Sequence, residues 1–249
     1  MTADIPLIFA ALAAPFTGSF IATAVDRCLD GKDWIWSRSV CDSCARRLAA
    51  HELVPICSWL WLKGVCPSCT GPIAARYLIA ELAALGVVLW AVAKVSPPFI
   101  SAAILLGWLL LALSLFDLRA YILPNALTLT LFGFGATVRH LADPASLAEA
   151  LASAAAGGAA LLAFRSLYQW WRGRAGLGLG DVKLFAAAGV WTSWQGLAPM
   201  LLIACLSALI YGLILWRRRG GDLRAQKLPF GPFLCLGLWL TWLYNAPSV

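Results

Sequence analysis

The chain has 249 residues, of which 61% are hydrophobic and 12% are charged. A soluble globular domain averages about 45–50% apolar and about 25% charged residues, so this composition argues against a single soluble core. It also excludes a disordered chain, which lacks apolar surface to bury, and eight cysteines are too few for a disulfide-stabilised mini-protein. The thirteen tryptophans are typical of a protein that crosses two membrane interfaces. The sequence therefore predicts an all-α polytopic membrane protein.

The net charge of +7 comes from 19 basic and 12 acidic residues. In a soluble protein such an excess would suggest a nucleic-acid partner, whereas in a membrane protein basic residues collect in cytoplasmic loops. We therefore predict membrane lipid, and no nucleic acid, among the partners of this chain. With the N-terminus outside, the basic residues other than Lys94 and Arg139 fall on the inner side, and this distribution decides the predicted orientation.

About eight transmembrane helices are predicted, at roughly residues 5–25, 77–95, 99–117, 121–139, 147–170, 182–195, 198–216 and 230–246. The sixth is short, and Gly196 and Pro199 leave its boundary with the seventh open, so six or seven crossings with a re-entrant segment also fit. The Ala/Gly-rich run 154–160 predicts close helix packing. We divide the chain into a first transmembrane helix (1–25), a small cytoplasmic polar domain (26–76) and a transmembrane domain (77–249).

The polar domain carries two C-x-x-C pairs, Cys41 with Cys44 and Cys66 with Cys69, separated by 21 residues. Each pair turns two thiolates to one face of a tight turn, and two pairs complete a tetrahedron, so the pattern predicts a four-cysteine zinc site. The alternatives are a pair of disulfides, which a reducing cytoplasm disfavours, and unrelated buried thiols. A site closed by four thiolates is structural, and it would fold a domain too small to have its own core.

Three acidic residues lie in or against the apolar segments: Glu81, Asp117 and Asp181. Ionisable groups in such places are costly and usually functional. Glu81 is predicted to hydrogen-bond another helix. Asp117 ends one apolar run and Asp181 opens another, and the predicted topology puts both at the cytoplasmic ends of their helices. The two carboxyl groups therefore lie at a similar depth and can meet.

Two carboxylates that meet in a partly dry site share one proton, which gives one acid and one base, as in an aspartic protease. The helix dipoles favour Asp181, at a helix N-terminus, as the ionised base and Asp117 as the proton-bearing acid. The alternatives are an interfacial Asp117 paired with Arg119 and an Asp181 that only caps its helix. Gly178 and Gly180 have no side chains, so a substrate backbone could lie against their loop.

These motifs resemble the type IV prepilin peptidase family, and the resemblance extends over nearly the whole chain. The segment from Gly178 to Lys183 is similar to the Gly-x-Gly-Asp motif of the family, and the segment from Phe116 to Asn125 is similar to the one bearing the other catalytic Asp. The two cysteine pairs, residues 77–82 and residues 228–233 are similar to further family segments. Three stretches depart from the family pattern, after Phe20, at Asp42 and at 51–55, all in the part linked to methylation or leader recognition.

The resemblance implies an intramembrane aspartyl protease of the bacterial inner membrane, with Asp117 and Asp181 as catalytic residues. The active-site loop residues that it implies are Gly178, Gly180, Lys183, Pro229 and Gly231. The expected substrates are prepilins or pseudopilins of type IV pili or type II secretion, cut after a short basic leader on the cytoplasmic side. Many members also N-methylate the new terminus with S-adenosylmethionine, and the four-cysteine set implies that activity here.

A membrane transporter or channel with a zinc-ribbon accessory domain is the competing hypothesis, because intramembrane acids also mark ion paths. A transporter should show repeat symmetry and charges at the membrane midplane, and this sequence shows neither. A methyltransferase without protease activity is a third hypothesis, and it would not need both Asp117 and Asp181.

Overall fold

The computed structural model describes residues 4–33, 38–173, 176–219 and 228–245. This part of the chain forms helices and two isolated β-bridges, with no β-strand. The α-helices are α1 (Asp4–Leu29), α2 (Cys57–Trp61), α3 (Ala75–Lys94), α4 (Ile100–Ala120), α5 (Asn125–Ala142), α6 (Ser146–Arg172), α7 (Leu179–Arg219) and α8 (Gly231–Asn245). The predicted all-α fold, with the four cysteines after the first helix, is confirmed.

Five helical segments of the described chain are long and apolar enough to cross a membrane. They are Leu7–Leu29 in α1, Ala75–Lys94 in α3, Pro97–Ala120 with α4, Ser146–Arg172 in α6 and Leu179–Arg218 in α7. A span needs about 20 predominantly apolar residues. Helices α5 and α8 are shorter, with total lengths of 18 and 15 residues. The chain is thus a multi-pass membrane protein, and the count of eight spans is not confirmed. Arg224 and Lys227, predicted for an inner loop, lie outside the described residues.

The chain divides into two compact units, residues 1–112 and 113–249. In the first unit, α1 packs against α3 through small side chains. A Cβ on Gly18 would lie 2.7 Å from the Cα of Glu81, and Ala14, Ala80 and Ala84 are fully buried. Small residues let two helix backbones approach closely, which favours association inside a membrane.

Between α1 and α3 lies the polar segment with the cysteine pairs, and polar contacts hold it together. The Glu52 carboxylate, 4% exposed, accepts a hydrogen bond from the Arg46 guanidinium at 2.7 Å and another from the Ala49 N–H at 2.7 Å. The hydrogen bond from Arg46, with that from the Ala49 N–H, lowers the pKa of Glu52. The carboxylate therefore stays ionised and connects Glu52 with Arg46 and Ala49 within the polar segment.

In the second unit, α7 packs against α5, α6 and α8. A Cβ on Gly189 of α7 would lie 2.7 Å from the Cα of Ala154 in α6. This close approach confirms the packing predicted from the Ala/Gly-rich run. The Trp191 indole is buried at the same level and donates a hydrogen bond to the Leu131 carbonyl at 3.0 Å.

Helix α7 is interrupted at Ser193, where φ is 52° and ψ is −165°. The predicted sixth and seventh apolar segments therefore fall in one element with a break, and the break comes three residues before Gly196. The Arg139 guanidinium donates hydrogen bonds to the carbonyls of Val190 at 3.2 Å and Trp191 at 3.1 Å, and to the Ser193 hydroxyl at 2.9 Å. Carbonyls at a helix C-terminus have no partner within the helix, so Arg139 stabilises the break from α5.

Replacing Arg139 by Met is expected to destabilise the protein by about 2 kcal/mol, because carbonyls next to a kink then lose charged hydrogen-bond donors. Thermal unfolding of the detergent-solubilised protein measures the effect. The matched control is Arg217→Met, since Arg217 is exposed at the end of α7. Equal stability of the two variants would contradict a capping role for Arg139.

Candidate active site

Asp117 lies in the last turn of α4 and is 6% exposed. The helix ends at Ala120, because Tyr121 adopts a positive φ of 56° and Pro124 follows. The Asp117 Oδ2 accepts a hydrogen bond from the N–H of Gly231, the first residue of α8, at 2.8 Å. Asp117 thus contacts a helix N-terminus that lies 114 residues away in the sequence.

Asp181 is the third residue of α7 and is 9% exposed. Its Oδ2 accepts a hydrogen bond from the N–H of Gly178, just before the helix, at 3.2 Å, in the manner of an N-terminal capping residue. The charge of Asp117 acts on the Asp181 carboxyl group. The two acids predicted to meet are therefore close enough to interact electrostatically, and both are buried.

The glycines around the two acids allow backbone to lie against the carboxyl groups. A Cβ on Gly231 would lie 2.8 Å from Asp117 Oδ2, and one on Gly178 would lie 3.1 Å from Asp181 Oδ2. A Cβ on Gly180 would lie 3.1 Å from the Cβ of Leu123. A side chain at any of these positions would force its neighbours to move, most severely at Gly231. Of the remaining loop residues, Pro229 is buried just before α8.

Lys183 is exposed one turn into α7, and its ammonium donates a hydrogen bond to Asn125 Oδ1 at 2.8 Å. Asn125 opens α5, so this contact links the starts of two helices. The sequence patterns did not indicate Asn125 as a site residue, although it ends the segment that contains Asp117. The sequence feature that could have identified Asn125 is the preceding Pro124, because proline is common at helix starts. The sequence also did not reveal the contact between Cys235 and Ser114. Cys235 lies one turn after Gly231 in α8, and Ser114 lies one turn before Asp117 in α4.

The structure adds a helix dipole that the sequence did not reveal. The N-terminus of α8 faces Asp117 in the way that the N-terminus of α7 faces Asp181. Each favours negative charge nearby by a similar amount, about 0.3–2 kcal/mol. At Asp117 the N-terminus of α8 opposes the C-terminus of α4, which weakens the predicted difference between the two acids. The assignment of Asp181 as base and Asp117 as acid stays a prediction.

Replacing Gly231 by Ala is expected to lower the catalytic rate by about 10²-fold, because the new Cβ displaces the Asp117 carboxyl group from its position. The matched control is Gly133→Ala, since a Cβ there meets no atom within 4 Å. Rates of the two variants at saturating substrate give the comparison. A Gly231→Ala protein as active as Gly133→Ala would show that the contact does not position Asp117.

The second candidate site is the four-cysteine cluster in the first unit. The Sγ atoms of Cys41, Cys44, Cys66 and Cys69 all lie within 4.8 Å of one another. Cys41 Sγ and Cys69 Sγ are 3.8 Å apart. A tetrahedral zinc site with Zn–S bonds of about 2.3 Å has S···S distances of about 3.8 Å. The cluster is therefore compatible with a structural zinc ion, and no described cysteine forms a disulfide.

The two cysteine pairs have the same backbone geometry. Antiparallel bridges enclose them, Val40 with Arg47 and Val65 with Pro72. In each pair the residue after the second cysteine, Ala45 or Thr70, has φ of 55° and donates its N–H to the carbonyl of the first cysteine at 2.9 Å. Each pair is thus a tight turn that places two thiol groups on one side.

Backbone N–H groups inside these turns face the first thiol of each pair. Hydrogen bonds from the backbone of Ser68 and Cys69 lower the pKa of Cys66 to about 6. Those from Cys44 and Ser43 lower the pKa of Cys41. Thiolates are the form that binds metal, so the turns prepare ligands as well as placing them.

Two family models match segments of this chain. Residues 104–213 match the type IV leader peptidase family, and residues 12–95 match the bacterial peptidase A24 N-terminal domain. A Burkholderia pseudomallei protein named prepilin leader peptidase/N-methyltransferase is 39% identical over 213 residues, which are 84% of this chain and 68% of that protein. The chain belongs to the type IV leader peptidase family. The resemblance inferred from the motifs is therefore confirmed, and the transporter or channel hypothesis is not favoured.

Other proteins with the same printed name support this membership in the leader peptidase family. One from Aeromonas salmonicida is 37% identical over 209 residues, covering 84% of this chain and 72% of that protein. One from Pseudomonas aeruginosa is 35% identical over 210 residues, covering 83% of this chain and 71% of that protein. No solved structure matches the chain. Both acids lie within the family match, and the cysteine cluster lies within the N-terminal domain match.

Proposed function

We propose that this leader peptidase is an intramembrane aspartic endopeptidase with Asp117 and Asp181 as its catalytic pair. Its substrates are the prepilins or pseudopilins of a type IV pilus or a type II secretion system, from which it removes the basic leader. The observation that carries the proposal is the pair of buried, interacting carboxyl groups, each accepting a backbone N–H beside a helix start. Burying an ionisable group in a membrane segment is energetically unfavourable, and such groups are usually functional.

In the proposed reaction, the ionised carboxylate accepts a proton from water, which attacks the scissile carbonyl carbon, while the protonated acid hydrogen-bonds the carbonyl oxygen. The Gly178 N–H holds the Asp181 carboxyl group, and Gly180 lets Leu123 pack close to the start of α7. Gly231, after Pro229, donates the N–H that holds Asp117. Lys183 secures the α7 start through Asn125. The pair works as a unit, because each acid has a role only when the other is in the opposite protonation state.

A second activity, N-methylation of the new N-terminus, is part of the proposal, because the similar proteins are named peptidase/N-methyltransferase. S-adenosylmethionine is the proposed methyl donor. A structural Zn²⁺ bound by Cys41, Cys44, Cys66 and Cys69 is the proposed metal, and its support is the geometry of the four thiols. The catalytic pair needs no metal in this scheme.

The proposed organisation follows the sequence: a first transmembrane helix (1–25), a zinc-binding domain (26–76) and a transmembrane protease domain (77–249). We place the protein in the bacterial inner membrane, surrounded by lipid, with its N-terminus outside and its active site at the cytoplasmic face. The support is the distribution of basic residues, which favours this orientation.

A cleavage assay in membranes tests the proposed function. Membranes containing the protein are incubated with a model prepilin, with and without S-adenosylmethionine, and the products are identified by mass spectrometry. We expect the leader to be removed in both reactions, and the mature product to gain one methyl group only with the donor. An uncut prepilin in both reactions would contradict the peptidase assignment, and an unmethylated product would contradict the second activity.

A further inference from the structure

Arg165 is a charged residue inside an apolar helix. It lies in α6, two turns before the helix ends at Arg172, and α6 is one of the segments that are long and apolar enough to cross a membrane. Ionisable groups in such segments are energetically costly and usually functional. The reaction proposed above gives Arg165 no role, whereas its contacts in the second unit indicate one.

The partly buried Arg165 side chain contacts the loop that leads from α6 into α7. Its Nε–H donates a hydrogen bond to the carbonyl of Leu177 at 2.9 Å. The next residue, Gly178, donates its N–H to Asp181 Oδ2 at 3.2 Å. The Leu177 carbonyl and the Gly178 N–H belong to the same planar peptide unit. Arg165 therefore holds one end of this peptide, and the other end holds the Asp181 carboxyl group.

The same peptide unit could face Asp181 in the opposite orientation. A peptide flip, as between type I and type II turns, changes ψ of the first residue and φ of the second by about 150–170°. Glycine as the second residue tolerates the positive φ that results, so Gly178 makes the flip accessible. The flipped peptide would turn the Leu177 carbonyl oxygen towards the Asp181 carboxylate, which would lose a donor and face a second acceptor. The hydrogen bond from Arg165 opposes the flip, because the carbonyl would leave a charged donor.

The charge of Arg165 also acts through the peptide unit. A cationic donor at a carbonyl polarises the peptide, and this strengthens hydrogen bonding by the N–H at the other end. Asp181 is buried, and hydrogen bonds are electrostatically stronger in a buried site than in water. Arg165 thus supports an ionised Asp181 carboxylate without contacting it.

Two further contacts keep the loop against α6. Gly173, with φ of 68°, follows the last residue of α6 and donates its N–H to a carbonyl of the last turn at 2.9 Å, a geometry that ends a helix. The Tyr168 ring then lies against Gly176, where a Cβ would be 2.6 Å from the ring Cε1. Tyr168 and Arg165 are three residues apart and therefore neighbours on one face of α6. The loop thus returns along this face and brings Leu177 to Arg165.

We propose that Arg165 is a positioning residue for leader cleavage, which orients the Leu177–Gly178 peptide so that its N–H, and not its carbonyl, faces Asp181. The inference rests on the proposed function, because it concerns the orientation of a carboxyl group of the proposed catalytic pair. The role of Arg165 is indirect and passes through a single peptide unit. Removal of the guanidinium would leave Asp181 in its place in α7 and would allow its carboxyl group to turn.

Two neutral variants of the full chain separate the hydrogen bond from the charge of Arg165. At the distance of the arginine Nε, methionine has a methyl group, whereas glutamine has an amide nitrogen that can still donate to the Leu177 carbonyl. We expect Arg165→Met to lower kcat for cleavage of a model prepilin by about tenfold or more, with KM changed by less than about twofold. Arg165→Gln should keep kcat within about threefold. The matched control is Arg172→Met, which removes an exposed cation two turns further along α6 and should leave kcat unchanged.

Three kinetic results would overturn the positioning role while the unaltered protein cleaves the prepilin. Equal losses in Arg165→Met and Arg165→Gln would assign the effect to the charge and not to the hydrogen bond. An unchanged kcat in Arg165→Met would leave Arg165 without a role in the reaction. A raised KM with unchanged kcat would place it in substrate binding. Absence of cleavage by the unaltered protein would instead contradict the proposed function.

Hydrogen exchange tests the same peptide unit without depending on activity or on the folding of a variant. In the unaltered protein the amide of Gly178 should be protected, and mass spectrometry of residues 176–181 measures this protection. Exchange of this segment as fast as in an unstructured peptide would overturn the proposal. Among variants that fold, the segment should exchange faster in Arg165→Met than in Arg165→Gln or Arg172→Met.

Discussion

Asparagine at either Asp117 or Asp181 is expected to abolish leader cleavage, with a rate at least about 10³-fold lower. One acid must accept a proton and the other must donate one, and an amide does neither at neutral pH. Asparagine has nearly the size of aspartate and keeps a side-chain oxygen. That oxygen can still accept the N–H of Gly231 or of Gly178, so each variant should fold and insert normally.

The double variant makes this prediction sharper. Because the two acids act as a unit, Asp117→Asn combined with Asp181→Asn should be no slower than either single variant. Asp143→Asn is the matched control, since Asp143 is an exposed acid of the same unit that accepts the Ala145 N–H. Cleavage by a single dyad variant at the rate of this control would disprove the assignment. Thermal unfolding of each variant in detergent, compared with that of the unaltered protein, shows whether it is folded.

Local sequence patterns predicted the two helix ends that carry Asp117 and Asp181. Asp117 was expected after an apolar run and Asp181 before one, and the structure ends α4 at Ala120 and begins α7 at Leu179. The cysteine cluster was equally predictable, since the spacing within each C-x-x-C pair already determines a tight turn. In each case the signal lies within a few residues of the group that it places.

Contacts between distant segments could not be predicted in this way. The sequence predicted that Glu81 hydrogen-bonds another helix but not which one. Its carboxylate accepts the N–H of Ile56, the N-cap residue of α2. The break in α7 occurs at Ser193 and not at Gly196, since Arg139 of α5 supplies the donors that stabilise it there. Tertiary packing decided these positions, and neither propensity nor hydrophobic periodicity contains that information.

The loops that carry the cysteine cluster have little apolar core of their own. They depend on tight turns and contain few buried apolar side chains. In small domains of this kind, metal binding supplies the folding free energy, about 10–16 kcal/mol for zinc-finger peptides at pH 7. The metal is therefore expected to hold these loops in their folded arrangement.

Replacing Cys66 by Ser is expected to release about one zinc ion per chain, because a hydroxyl at this buried position cannot replace a thiolate ligand. Residues 38–73 should then become sensitive to proteases. Leader cleavage should persist, because neither acid of the proposed catalytic pair lies in this segment. Metal analysis, limited proteolysis and the cleavage assay measure the three effects. Cys57→Ser is the matched control, an exposed cysteine of the same segment outside the cluster, and it should keep the metal and both activities. Zinc retained by Cys66→Ser, or its absence from the unaltered protein, would refute the metal site.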